Sequence, residues 1–388
     1  MPTGRFQRCG AAAEPYLAFI PAPLPPDPPV EFDFELQDLY GRANRAIGRL
    51  DEVTDLLPDT AQFLYLYVRK EAVLSSQIEG TQSSLSDLIR YERDEIPGVP
   101  IDDVKEVSQY VAAMEHGLAR LREGFPLSNR LIREMHAILL SKGRGSTKAP
   151  GEFRRSQNWI GGSRPGNAAY VPPPPEAVPD CMGDLEKFLH GDPVRTPVPI
   201  KAALAHVQFE TIHPFLDGNG RIGRLIVTLL LCAEGALRDP ILYLSLYFKT
   251  HRQEYYEKLQ AVRKDGGWRD WLVFFLTGIE ETARQAVDTA RRILTLFDED
   301  RQIVQGVGRT AGSVLQVHRV MQRRLIATVP ELSGDLDMSE PTIRSSLNKL
   351  EELGMVNEMT GNKRNRLYLY RRYLEILNEG AEPLAPGE

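Results

Sequence analysis

Apolar residues recur at helical spacing along most of this 388-residue chain. Residues three and four positions apart share one face of a helix, so this spacing gives each segment one side to bury. The segments with this pattern are 34–57, 61–79, 84–91, 102–121, 129–140, 179–189, 200–212, 225–233 and 268–296. Strand-like stretches are short and fall within 151–171 and 355–370. The pattern therefore predicts a mainly α fold with little β structure.

The apolar run at 225–233 follows twelve residues, HPFLDGNGRIGR, that are rich in glycine and polar side chains. Gly218 and Gly220 permit a tight turn in which successive N–H groups point to one spot. That spot lies at the start of the predicted helix, where unpaired N–H groups favour an anion. Arg221 and Arg224 are three positions apart, so they share a face of the helix and can both bind phosphate oxygens.

Two more side chains of this stretch add chemistry to the predicted anion site. Asp217 offers the hard oxygen that Mg²⁺ prefers when it also binds substrate phosphates. His213 is a residue type whose ordinary pKa suits taking a proton from a hydroxyl near neutral pH. Together they indicate a site for phosphate chemistry with a metal ion and a base.

Two other interpretations fit parts of the same stretch. Residues 218–223 satisfy GxGxxG, the dinucleotide fingerprint, but that fingerprint requires a preceding strand, whereas 201–212 has helical spacing. The second interpretation is a glycine-rich helix start that binds no ligand. Eight polar or glycine positions in twelve favour a phosphate site over a plain turn.

The twelve residues resemble the catalytic motif of the Fic family, HPFx(D/E)GNGRxxR, at every defined position. The resemblance implies an all-helical domain that transfers AMP from ATP to a protein hydroxyl, with Phe215 as a core anchor for the loop. It assigns His213 as the base, Asp217 as the Mg²⁺ ligand, Gly218, Asn219 and Gly220 to the α- and β-phosphates, Arg221 to the β-phosphate and Arg224 to the γ-phosphate. Family members with altered loops carry out other transfers, and the unaltered residues 217–219 argue against those.

A second segment, SSQIEG at 75–80, closes the second predicted helix. Taken alone, Glu79 is expected to be a solvated residue before a glycine C-cap. The segment also resembles the inhibitory (S/T)xxxE(G/N) motif of Fic proteins, with Ser75 and Glu79 at the defined positions. The resemblance implies that Glu79 competes with the γ-phosphate for Arg224, a pair worth on the order of 3–5 kcal/mol if fully buried. An additional role for Glu79, orienting water to remove AMP, stays open.

Two further parts of the nucleotide and target site follow from the same resemblance. Residues 151–171 predict a short hairpin, which alone would be an exposed ribbon. In Fic proteins such a flap pairs with the target backbone by strand addition, which here places Asn158, Trp159 and Ile160 nearest the target. Tyr255 and Tyr256 are equally compatible with core positions, and by family analogy they close the adenine pocket.

Beyond residue 308 the sequence pattern predicts a second kind of domain. Residues 332–353 predict a short helix, a turn and a second helix, with Ser339 as the N-cap of the second. The following 355–370 alternates like a hairpin, so the segment resembles a winged helix-turn-helix. Basic residues on the second helix and on the wing suit DNA phosphates, namely Arg344, Lys349, Lys363, Arg364 and Arg366. Dimerisation or docking of a target is the alternative use of this module.

Composition narrows the class of protein. The net charge of −6 implies no whole-chain attraction to nucleic acid or to an anionic membrane. The three cysteines, at positions 9, 181 and 232, form no ligand cluster, and no apolar run reaches the length of a membrane span, so a cytoplasmic location is expected.

The prediction for the whole chain is a Fic-type helical bundle with a small β-hairpin flap, plus a C-terminal winged helix (α+β) domain. The predicted divisions are a Pro-rich arm at 1–33, a helical region with the inhibitory helix at 34–122, the catalytic core at 123–300, the winged helix at 309–377 and a tail at 378–388. The predicted function is an ATP- and Mg²⁺-dependent protein adenylyltransferase that modifies Ser, Thr or Tyr hydroxyls, its own included. DNA and a second copy of the chain are the other expected partners. The rival functions are a DNA-binding regulator that senses nucleotide and a bifunctional enzyme that also removes AMP.

Overall fold

The structure is a computed structural model that describes residues 3–11, 14–53, 60–92, 101–361 and 366–383. Its helices are α1 (Phe34–Val53), α2 (Thr60–Ile78), α3 (Leu85–Tyr91), α4 (Ile101–Arg122), α5 (Asn129–Leu139), α6 (Val178–Leu189), α7 (Val198–Ile212), α8 (Asn219–Ala233), α9 (Ser245–Thr250), α10 (Arg252–Asp265), α11 (Trp268–Gln305), α12 (Ala311–Arg324), α13 (Val329–Leu336), α14 (Glu340–Glu352) and α15 (Arg371–Asn378). Its strands are β1 (Gly4–Cys9), β2 (Tyr16–Pro21), β3 (Ile326–Thr328), β4 (Val356–Glu358) and β5 (Leu367–Tyr370). The predicted mainly α class is confirmed.

The chain divides into two compact units, the first made of residues 1–51, 71–284 and 383–388, the second of 52–70 and 285–382. The domain limits predicted from the sequence stay a prediction.

Helices α7 and α8 form the centre of the first unit and pack against each other. Every residue of α7 from Pro199 to Ile212 is buried, because α6, α8, α10 and β2 all pack against it. The loop 213–218 joins these two helices, so its position is fixed from both ends by buried elements. Phe215 in this loop is completely buried, as expected of an anchor.

The N-terminal segment forms an antiparallel hairpin of β1 and β2, with Gly4 opposite Pro21. The Phe19 N–H donates to the Val171 carbonyl at 2.9 Å, and the Gln208 side chain donates to the Ala22 carbonyl at 2.8 Å. The segment therefore lies over the first unit, as an arm. Its strands were not predicted, because proline-rich flanks hid a short alternating pattern.

The hairpin predicted at 151–171 is reduced to a single antiparallel bridge between Ile160 and Tyr170. A 3₁₀ turn at Pro165–Asn167 closes the loop between them. This segment lacks the ladder of an extended ribbon: among the described residues, Ile160 and Tyr170 are its one bridged pair.

The second unit contains the winged helix. Helices α12, α13 and α14 pack together, and β5 lies between β3 and β4 in a three-stranded antiparallel sheet. The α13–turn–α14 arrangement and the β4–β5 wing follow the predicted order. Strand β3 and helix α15 were not predicted. Lys363 and Arg364 lie outside the described residues.

Candidate active site

His213 ends α7 in a left-handed conformation, with φ of 49° and ψ of 59°. A histidine adopts positive φ only at a cost, so surrounding contacts must hold it there. Arg154 does this by donating from Nε to the His213 carbonyl at 2.9 Å, while its own N–H donates to the Pro214 carbonyl at 2.9 Å. Asn158 adds bonds from Nδ2 to the carbonyls of His213, at 3.3 Å, and Phe215, at 3.0 Å.

The Asn219 side chain makes hydrogen bonds to the backbone of the loop that precedes it. Its Oδ1 accepts from the Phe215 N–H and its Nδ2 donates to the Phe215 carbonyl, both at 2.9 Å. Both polar atoms of the buried side chain are thus bonded to the loop backbone. The group of Asn219 that a phosphate could bind is therefore its backbone N–H at the start of α8. Gly218 precedes it at φ of 77°, the left-handed conformation for which a glycine was expected.

His136 on α5 is a site residue that the sequence reasoning missed. It stacks on Phe215 with ring centroids 3.7 Å apart. The Gly151 N–H donates to its Nδ1 at 2.8 Å, so the proton lies on Nε2, which donates to the Asp217 carbonyl at 3.0 Å. Burial lowers the pKa of His136 to about 4, which keeps this ring neutral. No sequence pattern pointed to it, because its partners lie 15 and 81 residues away.

The loop opens onto a cleft of about 760 Å³, which is lined among others by Glu79, Trp159, His213, Gly220, Arg224 and Tyr256. The His213 side chain is one-fifth exposed. Burial, followed by the charges of Arg263 and Arg154, lowers the pKa of His213 to about 3. The imidazole is therefore neutral at physiological pH, with one ring nitrogen unprotonated.

Arg224 is held by residues at the end of α2 and in the turn that follows it. Its Nε donates to Ser75 Oγ at 2.8 Å, and its Nη2 donates to the Ser75 carbonyl at 2.9 Å and to Glu79 Oε1 at 2.7 Å. Partial burial acts to raise the pKa of Glu79, but the charge and hydrogen bond of Arg224 outweigh it, so this pKa lies below its ordinary value. A Cβ on Gly220 would lie 2.3 Å from Glu79 Oε1, so this pairing requires glycine there.

Arg221 contacts a different helix from the one that Arg224 contacts. Its Nη1 lies 3.4 Å from Oε2 of the buried Glu106 on α4, and its Nη2 lies 3.5 Å from Asp217 Oδ1. Arg144 approaches Glu106 from the other side, at 3.1 Å. In this structure each arginine of the motif therefore already has a carboxylate partner.

Asp217 is the one candidate metal ligand predicted, and a third of its side chain is exposed. Its Oδ1 accepts from the Gly218 N–H at 2.6 Å. A Cβ on Gly145 would lie 2.7 Å from Oδ2, so the Asp217 carboxylate can lie against this loop because residue 145 is glycine. A partly exposed carboxylate is a donor that fits a Mg²⁺ ion. Within the described parts of the chain, no group of three His, Cys, Asp or Glu residues could hold a metal by itself.

The two tyrosines predicted for the adenine pocket differ in position. Tyr255 is fully buried, and its hydroxyl bonds His206 Nε2 at 2.8 Å. Both tyrosines line the cleft, and Tyr256 is 43% exposed, so its ring is the more accessible of the two for stacking. Trp159 of the flap is also exposed beside the cleft, whereas the side chain of Asn158 is engaged with the loop carbonyls.

Three family models match the chain. Residues 37–119 match the Fic/DOC family N-terminal model, and residues 126–231 match the Fic/DOC family model, which contains the loop and the start of α8 described above. The chain carries a Fic domain. Residues 320–358 match the model of the arsR family of bacterial regulatory proteins, which agrees with the winged helix seen in the second unit.

Relatives of the Fic domain occur among curated proteins and solved structures. The chain is 33% identical to a protein adenylyltransferase Fic of Aedes aegypti over 246 residues, which is 60% of this chain and 46% of the relative. A protein adenylyltransferase Fic of Drosophila erecta is 31% identical over 208 residues, 53% of this chain and 39% of the relative. The chain thus spans less than half the length of these curated relatives.

A Fic family protein from Desulfovibrio desulfuricans G20 shares the fold, with a TM-score of 0.59 and 20% identity, over 88% of this chain and 97% of that structure. Among the described helices, none combines the length and the apolarity needed to cross a membrane.

Proposed function

We propose that the Fic domain is a protein adenylyltransferase that transfers AMP from ATP to Ser, Thr or Tyr hydroxyls of proteins. The observation that carries this proposal is the position of the neutral His213 at a cleft that also receives Arg224 and the glycine-lined start of α8. A base, a cation and helix N–H groups at one cleft supply what an in-line attack on a nucleotide phosphate requires. The names of the curated relatives support the choice of AMP as the transferred group.

In this proposal the first N–H groups of α8 hold the phosphates, because a helix start leaves them without internal partners. His213 takes the proton from the target hydroxyl, the oxygen attacks the α-phosphorus, and pyrophosphate leaves. Arg224 neutralises the γ-phosphate once it is released from Glu79. Arg221 shapes the loop through Glu106 and Asp217, and reaches the β-phosphate only if one of these contacts is exchanged.

Asp217 would hold the Mg²⁺ ion through its partly exposed carboxylate. When bound, the ion would neutralise charge on the phosphates and on the leaving pyrophosphate. His136 keeps Asp217 in place through the Asp217 carbonyl.

We infer that Glu79 inhibits the enzyme by occupying Arg224. One-third of the Glu79 side chain is exposed, so the contact is weaker than a fully buried pair. A hydrogen bond to a charged partner contributes roughly 1.5–3 kcal/mol, which corresponds to an inhibition of roughly ten- to a hundredfold. Self-modification and a second role of Glu79 in removing AMP stay proposals on this site.

Trp159 and Ile160 are the flap residues proposed to meet the target. The single bridge of Ile160 to Tyr170 leaves the rest of this segment without strand partners among the described residues. A target backbone could add to it by main-chain bonds, and these would align a hydroxyl without demanding particular side chains.

Incubation of the purified protein with α-³²P- or γ-³²P-labelled ATP and Mg²⁺ tests the proposal. We expect protein-bound label from the α position only, a rise of at least tenfold in Glu79→Gly, and no label in the Glu79→Gly/His213→Ala double variant although it still binds ATP. Label from the γ position would indicate a kinase. Absence of both labels from Glu79→Gly, in the presence of ATP binding, would support a nucleotide sensor instead.

We further propose that the winged helix binds DNA through α14. The match to a family of bacterial regulatory proteins and the exposed Arg344 and Lys349 support it. Both cations pair with a glutamate on their own helix, Glu340 and Glu352, and such exposed pairs are weak enough for a phosphate to replace. Homodimerisation stays a prediction.

A further inference from the structure

Glu210 is a buried carboxylate that the proposed reaction has not yet used. It lies on α7, one turn before His213, and its side chain is 8% exposed. Its Oε2 is 4.0 Å from His213 Nδ1. Both His213 Nδ1 and Glu210 Oε1 are buried without a hydrogen-bond partner in this structure. A buried polar atom without a partner is costly, and the oxygen of Glu210 that faces Nδ1 is the other one, Oε2.

The structure makes room for this carboxylate. A Cβ on Gly223 would lie 2.5 Å from Glu210 Oε1, so the third glycine of the motif leaves the volume that the carboxylate fills. The Glu210 backbone carbonyl is engaged separately, by a bond from Arg263 Nη2 at 2.9 Å. The side chain is thus positioned independently of the contact that anchors its backbone.

A neutral imidazole can act as a base at Nε2 only if its proton lies on Nδ1. A carboxylate beside Nδ1 favours that tautomer and stabilises the imidazolium that forms when Nε2 takes a proton, as the aspartate does in a Ser-His-Asp triad. A separation of 4.0 Å exceeds a hydrogen bond, but catalytic contacts are often long before substrate binds.

We propose that Glu210 is the positioning residue of the catalytic histidine: its carboxylate faces Nδ1 of His213, holds the proton there and neutralises the imidazolium during transfer. The inference rests on the proposed transfer reaction and adds a residue to it. The proton moves from the target hydroxyl to His213 Nε2 and leaves to solvent after pyrophosphate departs, while Glu210 keeps its charge throughout.

The charged neighbours set the conditions for this role. His213 faces Arg263 and Arg154, which lower its pKa, and Glu79 together with the Glu210 backbone, which raise it. Burial raises the pKa of Glu210 to about 7; Arg224 and Arg263 counteract this, and Glu79 adds to it. Removing Glu79 therefore favours the ionised form of Glu210 at neutral pH, so the test belongs in the Glu79→Gly background.

The variants are Glu210→Gln, which removes the charge and keeps the shape, and Glu210→Asp, which keeps the charge. The matched control is Glu234→Gln, which removes a carboxylate paired with the buried Lys201 beyond the far end of α8. We expect Glu210→Gln to lower kcat at least about tenfold, within the range for general base catalysis, with KM for ATP within about twofold. Glu210→Asp recovers part of kcat, and the control leaves kcat unchanged.

The pH profile separates positioning from a structural role. The parent loses kcat at low pH as Glu210, whose pKa is raised by burial, takes up a proton; Glu210→Gln has no such group, so the acid limb of kcat moves to lower pH. An equal kcat, or a lower kcat with an unmoved acid limb, would overturn the inference.

A readout without turnover keeps the inference testable if the transfer reaction itself fails. Spectra of protein with ¹⁵N-labelled histidine at pH 7 report which ring nitrogen of His213 carries the proton, the resonances being assigned by their loss in His213→Ala. We expect the Nδ1–H form to predominate in Glu79→Gly and to decrease when Glu210→Gln is added. An unchanged tautomer would refute the role of Glu210 whatever the reaction is.

Discussion

His136 illustrates how a residue outside the motif fixes the geometry inside it. One ring nitrogen accepts from Gly151 and the other donates to Asp217, so a single tautomer satisfies both bonds. The ring also stacks on Phe215. Because a protonated ring could no longer accept from Gly151, the lowered pKa and the hydrogen bonds support the same neutral state.

His136→Ala should lower the free energy of unfolding by about 2–4 kcal/mol, because it opens a cavity and leaves a buried N–H and a buried carbonyl without partners. Urea unfolding at pH 7 measures this. The matched control is His116→Ala, which removes a one-third exposed ring paired with Glu134 and should cost less than about 1 kcal/mol. Equal losses in the two variants would contradict the role assigned to His136.

At the scale of the element, Glu71 and Ser75 lie on α2, and Glu79 follows in the turn after Ile78. Glu79 and Ser75 hold Arg224. Glu71 is buried and bonded to the hydroxyls of Tyr110, at 3.1 Å, and Ser245. The segment that holds Arg224 thus also joins α2 to α4 and α9.

Burial raises the pKa of Glu71 to about 7, against hydrogen bonds from Ser245 and Tyr110 and the charge of Arg224. The folded state therefore binds more protons than the unfolded state between about pH 4.5 and 7, and this group destabilises the protein as pH rises through that window. Glu71→Gln imitates the protonated form, so its stability relative to the parent should improve from pH 5 to pH 8 by up to about 3 kcal/mol.

Unfolding of both proteins in urea at the two pH values measures this difference. Glu123→Gln, in which an exposed carboxylate paired with Arg120 is neutralised, should show no such change. If the relative stability of Glu71→Gln is the same at pH 5 and pH 8, the carboxyl is not titrating in this window.

At the scale of the whole molecule, the candidate site and the winged helix fall in separate compact units. His213, Arg224, Glu79 and Glu106 all belong to the first unit, and α12 to α15 belong to the second. The net charge of the chain is −6, so attraction to DNA must come from local cations and not from the chain as a whole.

Fluorescence anisotropy of the full chain with a labelled duplex, measured from 50 to 200 mM salt, tests the DNA proposal. We expect affinity to fall as salt rises, and the slope of log K against log salt to shrink by about 0.9 for each of Arg344→Ala and Lys349→Ala. Arg130→Ala, an exposed arginine of the first unit, serves as the control and should leave the slope unchanged. Absence of binding at 50 mM salt would favour a winged helix that docks protein.

The features that could be predicted from the sequence alone are mostly those of contiguous stretches of the chain. The helical periodicity gave the mainly α class, and the twelve residues 213–224 define both the family resemblance and the loop at the start of α8. These features are local: the glycine conformations, the helix start and the spacing of His213, Asp217 and Arg224 follow from neighbours along the chain. The order of helices and strands in the winged helix could be predicted for the same reason, apart from α12, β3 and α15.

Only the tertiary structure decided what those side chains touch. Arg224 contacts Glu79 across 145 residues and Arg221 contacts Glu106 across 115, so their divergence onto two helices could not be read from their spacing. Arg154 and His136 hold the motif loop from other segments, and Tyr255 proved to be buried while Tyr256 faces the cleft. Burial and charge partners arise only when distant segments pack together, and these determine the protonation and the availability of each group.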